Sequence, residues 1–212
     1  MKTIRILIAD DHDVVRQGVR TVLEAVDGWI VCGEAGNGRE AIALAVALRP
    51  DIVVLDVAMP ELNGLEVTRR ILRLVKTSVL ILTMHDSEQM LSNILAAGAR
   101  GYVLKSESKR ALVDAIDAIL GNQPFVSNRG AHVPGRGSTR FTEETAPRPL
   151  TAREREVLQL LTEGKSNKQV AAALNISIKT VETHRGRVMA KLNLHSMSDL
   201  VRYAVRNRII EA

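Results

Sequence analysis

The sequence predicts a doubly wound α/β module on a five-stranded parallel sheet, followed by a small all-α module of four helices. Three observations predict it. Between residues 1 and 121, short apolar runs alternate five times with stretches whose apolar residues recur at three- and four-residue spacing. Runs such as "IVVLD" are apolar throughout until the final acid, as strands covered on both faces must be. From Leu150 onward only helical spacing remains.

In order, the strands are read in "IRILIA", "WIVCGEA", "DIVVLD", "SVLILT" and "GYVLK". The helices between and after them are read in "VVRQGVRTVLEAV", "GREAIALAVALR", "GLEVTRRILRLV", "SEQMLSNILAAG" and "KRALVDAIDAIL". Asp13 is read as the N-cap of the first helix. Residues 124–149 hold four of the six prolines and three glycines, which reads as a linker. Beyond it, "TAREREVLQLLTEG" opens with a Thr151/Glu154 capping box. "SNKQVAAALN", "SIKTVETHRGRVMAKLN" and "SMSDLVRYAVRNR" follow, separated by short turns at Gly164, Asn175 and Asn193.

Composition narrows the classes. Of 212 residues, 46% are hydrophobic and only 2% aromatic, so aliphatic side chains must fill the core. Cys32 is the only cysteine, which excludes an internal disulfide and a cysteine-based zinc site and fits a reducing, cytoplasmic setting. The N-terminus reads as a strand rather than a signal peptide, and no apolar run is long enough for a membrane span. Through Phe125 there are 14 Lys/Arg against 16 Asp/Glu, whereas from Leu150 the count is 11 against 6. A polyanionic partner therefore belongs to the rear module.

Ligands of open parallel sheets bind at the carboxyl ends of the strands. The polar residues expected there are Asp10 and Asp11 after strand one, Asp56 after strand three, Thr83 after strand four and Lys105 after strand five. Three carboxylates, a hydroxyl and an ammonium converge if these strands are neighbours. Clustered carboxylates suit a hard divalent cation, Mg²⁺ above all, and the whole set suits a phosphoryl group. A rival reading rests on "GNGREA", residues 36–41, which matches a dinucleotide-binding turn through Gly36 and Gly38. It follows the second strand rather than the first and leaves Asp10, Asp11, Thr83 and Lys105 without a task. A turn leading into a helix is the preferred reading.

The array "DD…DVAMP…T…YVLK" over residues 4–121 resembles the receiver domain of two-component response regulators, a flavodoxin-like fold. The resemblance implies that Asp56 accepts phosphate from a sensor histidine kinase. It implies Mg²⁺ at Asp11, Asp10, Asp56 and the Ala58 backbone carbonyl. Thr83 and Lys105 would hold phosphoryl oxygens, and Tyr102 would rotate inward as Thr83 moves. Ala58 and His85 would border the phosphoryl group. Ser106 departs from the proline that many receivers carry after the lysine.

"SNKQVAAALNISIKTVETHRGRVMAKL" reads as helix–turn–helix, with Val170, Ala171, Leu174, Ile176, Val181, Val188 and Leu192 spaced as a shared core. Residues 150–206, and "LTAREREVLQLL", "SNKQVA" and "KTVETHRGRVMAKL" in particular, resemble the LuxR-type DNA-binding domain. The whole chain is thus similar to the NarL/FixJ family. The boundaries expected are a receiver at 1–123, a linker at 124–149 and a LuxR-type helix–turn–helix domain at 150–212. The resemblance makes Ile178–Leu192 the recognition helix. Its outward set is Lys179, Thr180, Glu182, Thr183, His184, Arg185, Arg187 and Lys191. His184 fits either the core or a phosphate contact. Arg153 and Arg155, beside Glu154 and Glu156, fit surface pairs of little worth.

Together these imply a phosphorylation-controlled transcriptional regulator rather than an enzyme, although the receiver assists its own phosphorylation and dephosphorylation. Promoter DNA and the kinase are the expected partners, with RNA polymerase a further one and no membrane. A homodimer is expected when the protein is phosphorylated or DNA-bound. The last helix contributes to that dimer or only to the bundle core. The rivals from other classes are the dinucleotide-binding enzyme and a protein-interaction regulator that never touches DNA.

Overall fold

In a computed structural model the structure describes residues 3–84, 88–126, 150–207 and 209–210. The chain divides into two compact units, Met1–Val133 and Pro134–Ala212. In the first, β1 (Ile4–Ala9), β2 (Trp29–Ala35), β3 (Ile52–Asp56), β4 (Ser78–Thr83) and β5 (Gly101–Leu104) alternate with α1 (Asp13–Glu24), α2 (Gly38–Leu48), α3 (Gly64–Leu74), α4 (Glu88–Ala97) and α5 (Lys109–Leu120). A two-residue strand, β6 (Phe125–Val126), closes the unit, and the strand order is β2-β1-β3-β4-β5-β6, all parallel.

Alternation along the buried strands divides the core into two layers. Leu7, Val53, Leu55, Val79 and Ile81 face α2, α3 and α4 through Ala45, Val67, Ile71 and Ile94. Ile6, Ile8, Ile52, Val54 and Leu80 face α1 and α5 through Leu23, Leu112 and Ile116. Because β1 separates β2 from β3, the winding reverses at β1. The carboxyl ends of β1 and β3 therefore open beside each other, where such sheets form their crevice.

Two local expectations change. Residues 125 and 126, read as the start of the linker, are instead strand, with the Phe125 amide donating to the Arg100 carbonyl at 3.1 Å. Gly101 permits this pairing, since a Cβ there would stand 2.3 Å from the Phe125 carbonyl oxygen. The N-cap of α1 is His12, not Asp13, and its side chain makes no cap bond. Asp13 begins the first turn, where a carboxylate still favours the helix dipole. The Gly36–Gly38 turn is explained by packing. Asn37 caps α2 through the Glu40 amide, and a Cβ on Gly38 would meet the Leu62 carbonyl oxygen at 2.3 Å.

The second unit contains α6 (Ala152–Thr162), α7 (Asn167–Leu174), α8 (Ile178–Leu192) and α9 (Met197–Arg206). Thr151/Glu154 forms the expected capping box on α6, and Ser166/Gln169 forms another on α7. Asn175 and Asn193 end α7 and α8 in the left-handed conformation that asparagine tolerates. Val157, Leu158, Val170, Leu174, Val181, Val188 and Leu200 make one core. Leu200 and Ala204 of α9 are buried in it, so those two positions serve the bundle.

Candidate functional site

The reversal at β1 brings the sequence-distant acids together. Asp10 follows β1 and is 2% exposed, and Asp56 ends β3 and is 3% exposed. Lys105, just past β5, reaches both, with Nζ 2.7 Å from Asp10 Oδ2 and 3.2 Å from Asp56 Oδ2. Its backbone amide donates to the Thr83 carbonyl at 2.7 Å, joining the ends of β4 and β5. Thr83 is buried. Tyr102 is buried in the α2–α4 layer of the core. Asp11 is exposed, and Ala58 is half-buried in the turn after β3. His85 lies outside the described residues.

Electrostatics mark Asp56. Burial, aided by Asp10 and Asp11, outweighs the Lys105 cation and pushes the Asp56 carboxyl up to about 6. Burial also opposes the Lys105 charge, but Asp56 and Asp10 prevail and hold the ammonium above its ordinary value. Three acids and one lysine leave this pocket short of positive charge.

His12, which with the other histidines of the sequence shows no metal-ligand spacing, is a site residue through its acidic neighbours. Its Nδ1 lies 2.9 Å from Asp11 Oδ1 and 3.3 Å from Asp10 Oδ1, and Asp11 leads the influences that raise its pKa. Its position directly after the acidic pair was the available signal. Asp10, Asp11 and His12 each offer a ligand atom, all within 4.8 Å of one another. Among the described residues, Asp10 Oδ2 is buried, accepts no aligned hydrogen bond and faces the Lys105 ammonium as its ion-pair partner. This oxygen-rich set, with an orphaned carboxylate oxygen, fits a hard divalent cation.

Gly64 is a residue that sequence reading missed. It starts α3, donates its amide to the Val57 carbonyl at 2.8 Å, and leaves no room for a side chain: a Cβ would stand 2.0 Å from the Asp56 carbonyl oxygen. Nothing in "NGLEV" announces that approach, because the partner is eight residues away.

In the second unit, α8 exposes Ile178 at its start and Lys179, Glu182, Thr183, Gly186, Arg187 and Ala190 along one face. Thr180, His184, Arg185 and Lys191 are partly buried. His184 Nδ1 is enclosed and accepts or donates no hydrogen bond among the described residues. The Ser177 side chain accepts from the Thr180 amide at 3.1 Å and shares its hydroxyl bond, so both anchor the helix start. The exposed face is smooth where Gly186 stands, cationic at Lys179 and Arg187, and acidic at Glu182.

Two charged groups differ from expectation. Lys191, read as outward, pairs with Glu154 at 2.6 Å across 37 residues. Arg153 pairs with Glu156 at 2.8 Å and also donates to the Leu174 carbonyl at 2.6 Å. Both glutamates are buried, so neither pair is a surface pair: Lys191–Glu154 ties α8 to α6, while Arg153–Glu156 lies within α6 and Arg153 reaches α7 through the Leu174 carbonyl. For Glu154, burial raises the carboxyl pKa, but Lys191 and Thr151 together bring it below the ordinary value. Lys191→Met is expected to destabilise the second unit by about 2–3 kcal/mol at pH 7, by leaving a buried carboxylate short of its cation. A depressed carboxyl stabilises above its unfolded pKa, and that contribution disappears as pH falls through the folded value. The gap between parent and variant melting curves should therefore narrow on acidification.

Fold and pocket thus define an α/β module with a lysine-bridged acidic crevice, carried on one chain with a helix–turn–helix bundle. Comparison with known proteins takes this further. Residues 6–117 match the response regulator receiver domain, and residues 148–204 match the bacterial regulatory proteins of the luxR family. The transcriptional regulatory protein LiaR of Bacillus subtilis is 36% identical over 98% of this chain and 99% of its own. The oxygen regulatory protein NreC of Staphylococcus carnosus is 34% identical over 98% of this chain and 100% of its own. Among solved structures, the response regulator ChrA is 35% identical, covering 99% of this chain and 100% of that one, with a TM-score of 0.54. The response regulator RcsB in complex with DNA is 29% identical, covering 95% and 98%, with a TM-score of 0.58. The chain belongs to the two-component response regulators of the NarL/FixJ type, transcriptional regulators that join a receiver to a LuxR-type DNA-binding domain. Among the described residues no helix is long and apolar enough to cross a membrane.

Proposed function

We propose that this regulator is switched by phosphorylation of Asp56 from a sensor histidine kinase, and that the phosphorylated form binds promoter DNA through α8. The single observation carrying this reading is the contact of Lys105 with both Asp10 and Asp56 in a buried crevice at the winding reversal. In the transfer, an Asp56 carboxylate oxygen forms a bond to phosphorus while the bond from phosphorus to the donor's leaving atom breaks. Asp10, Asp11, Asp56 and the Ala58 carbonyl would hold Mg²⁺, which supplies neutralisation of phosphoryl charge when bound. Lys105 keeps its ammonium because both acids surround it, so it is available to a phosphoryl oxygen. Thr83, at the end of the neighbouring strand, is the second phosphoryl-oxygen partner, through its hydroxyl. The raised Asp56 pKa calls for added positive charge to keep the nucleophile ionised, which a divalent cation provides.

Engagement of Thr83 and Lys105 by the phosphoryl group favours one arrangement of β4, β5 and Tyr102 over another. That shift promotes dimerisation and promoter binding, and RNA polymerase is the downstream partner in this reading. The cytoplasm is its compartment. On DNA, Lys179 and Arg187 meet phosphates, while Glu182, Thr183 and the bare Gly186 position face base edges. His184 and Arg185 support the helix from its flank, and Thr180 contributes through the anchored first turn. Lys191 is held by Glu154 and stands apart from this set.

Acetyl phosphate with Mg²⁺, followed by intact-protein mass spectrometry, tests the first half: one added phosphoryl group is expected, and none would defeat it. Gel shifts across a salt series test the second. Arg187→Ala is expected to weaken binding about equally on all sequences and to reduce the salt slope by about one. A slope equal to the parent's would remove Arg187 from the phosphate contacts. Binding that ignores salt altogether would favour a regulator acting through protein partners.

A further inference from the structure

We propose that Arg16 is a positioning residue for the cation site, holding the Asp10–Asp11–His12 turn in register without neutralising it. This rests on the phosphorylation reading above and adds a residue outside the acidic array. Arg16 lies in α1, one turn beyond His12. Its Nη1 donates to the Asp10 carbonyl at 2.7 Å. Its Nη2 donates to the Asp13 carboxylate, and its Nε faces Glu34 Oε2 on β2 at 3.6 Å. Glu34 is fixed in turn by Arg20 at 2.9 Å.

The bonds around Asp10 show what this achieves. Its amide donates to the Ala35 carbonyl at 3.1 Å, the last tie to β2. Its Oδ1 accepts the His12 amide at 2.9 Å, and its Oδ2 faces Lys105. The Asp10 carbonyl is where the chain turns away from the sheet, and Arg16 supplies its donor. The peptide carrying Asp11 outward is therefore held at its start. One planar guanidinium reaches a carbonyl and two carboxylates in three directions, which an ammonium cannot reproduce.

The charge arrangement is equally specific. The positive charge of Arg16 is met by Asp13 and Glu34, and its contact with Asp10 is to the backbone carbonyl rather than the carboxylate. Arg16 thus orients the ligands while leaving their negative charge for a cation. Groups that orient metal ligands in this way typically change affinity by about 10- to 100-fold when removed.

Electrostatics and positioning give opposite signs, which makes the experiment decisive. If Arg16 acted only as a nearby cation, its removal would tighten Mg²⁺ binding. If it positions the turn, removal weakens it. Mg²⁺ affinity of the full chain is measured by calorimetry and by the amide resonances of Asp10–His12, for the parent, Arg16→Met, Arg16→Lys and Glu34→Gln. The expectation is about tenfold weaker binding for Arg16→Met, several-fold for Arg16→Lys and a smaller loss for Glu34→Gln. The Mg²⁺ concentration giving half-maximal phosphorylation by acetyl phosphate should rise in parallel, while the rate at saturating Mg²⁺ returns to the parent's. Unchanged or tighter binding in Arg16→Met overturns the proposal. So does parental affinity in Arg16→Lys, a variant that keeps the charge and serves as the readout should Arg16→Met fail to fold. A parent that binds no Mg²⁺ and accepts no phosphoryl group overturns the underlying reading instead, whatever the variants do.

Discussion

Asp56→Asn is expected to abolish acyl-phosphate formation and, in metal-free buffer, to make the receiver unit more stable at neutral pH. The first effect follows from the loss of the nucleophilic oxygen. The second follows from the pocket's charge. Asp56 titrates at about 6 in the folded unit against an ordinary value of 3.8, because burial and the neighbouring acids outweigh Lys105. Between those two pH values the folded state holds a proton that the unfolded chain has released. Stability therefore falls as pH rises through this window and stays low above it. A displacement of about two pKa units corresponds to roughly 3 kcal/mol. Asparagine cannot ionise, so Asp56→Asn should gain up to about that amount at pH 7 and almost nothing below pH 4. Denaturant titrations of parent and variant across pH, in chelator, measure it. Equal stability at pH 7, or a gain that grows on acidification, would contradict the electrostatics described above. The phosphoacceptor in this reading is held in a place that costs the fold stability, as strained functional groups often do.

Gly64→Ala is expected to be among the most damaging single substitutions in the first unit. Its Cβ would stand 2.0 Å from the Asp56 carbonyl oxygen and 2.9 Å from the Val57 Cα. Both are backbone atoms, so no rotamer change relieves the clash. Either α3 withdraws, breaking the Gly64–Val57 hydrogen bond, or the end of β3 moves with Asp56 on it. A loss of about 3 kcal/mol is expected in chemical denaturation. Phosphorylation should slow even under conditions where the variant remains folded, since Asp56 shifts relative to Lys105. A variant with parental stability and parental phosphorylation would show that the approach is looser than drawn.

Much of this molecule was legible from residue order. Every strand of the five and every helix lies within a few residues of its apolar run, because strands buried on both faces and amphipathic helices leave strong periodic marks. Asp10, Asp56 and Lys105 could be grouped from their positions at strand ends, given one assumption about strand order. The losses have physical reasons. "FV" after a proline is too short to show alternation, and its pairing depends on Gly101, over twenty residues earlier. Lys191 looked like a groove-facing cation because its partner, Glu154, is 37 residues away and had already been given a capping task. Gly64 carries no side chain to read, and its meaning lies in the carbonyl it approaches. Arg16 resembled any helical arginine until the bend after β1 delivered the Asp10 carbonyl to it.

The short sixth strand has a mechanical consequence. The chain that leaves the first unit is not released from the loop after α5. It is fastened along the sheet's edge beside Gly101 and Tyr102, and runs in the same direction as β5. The edge strand thus hydrogen-bonds directly to the strand whose end carries Lys105, so whatever holds Phe125 and Val126 in place also holds the floor beneath the ammonium.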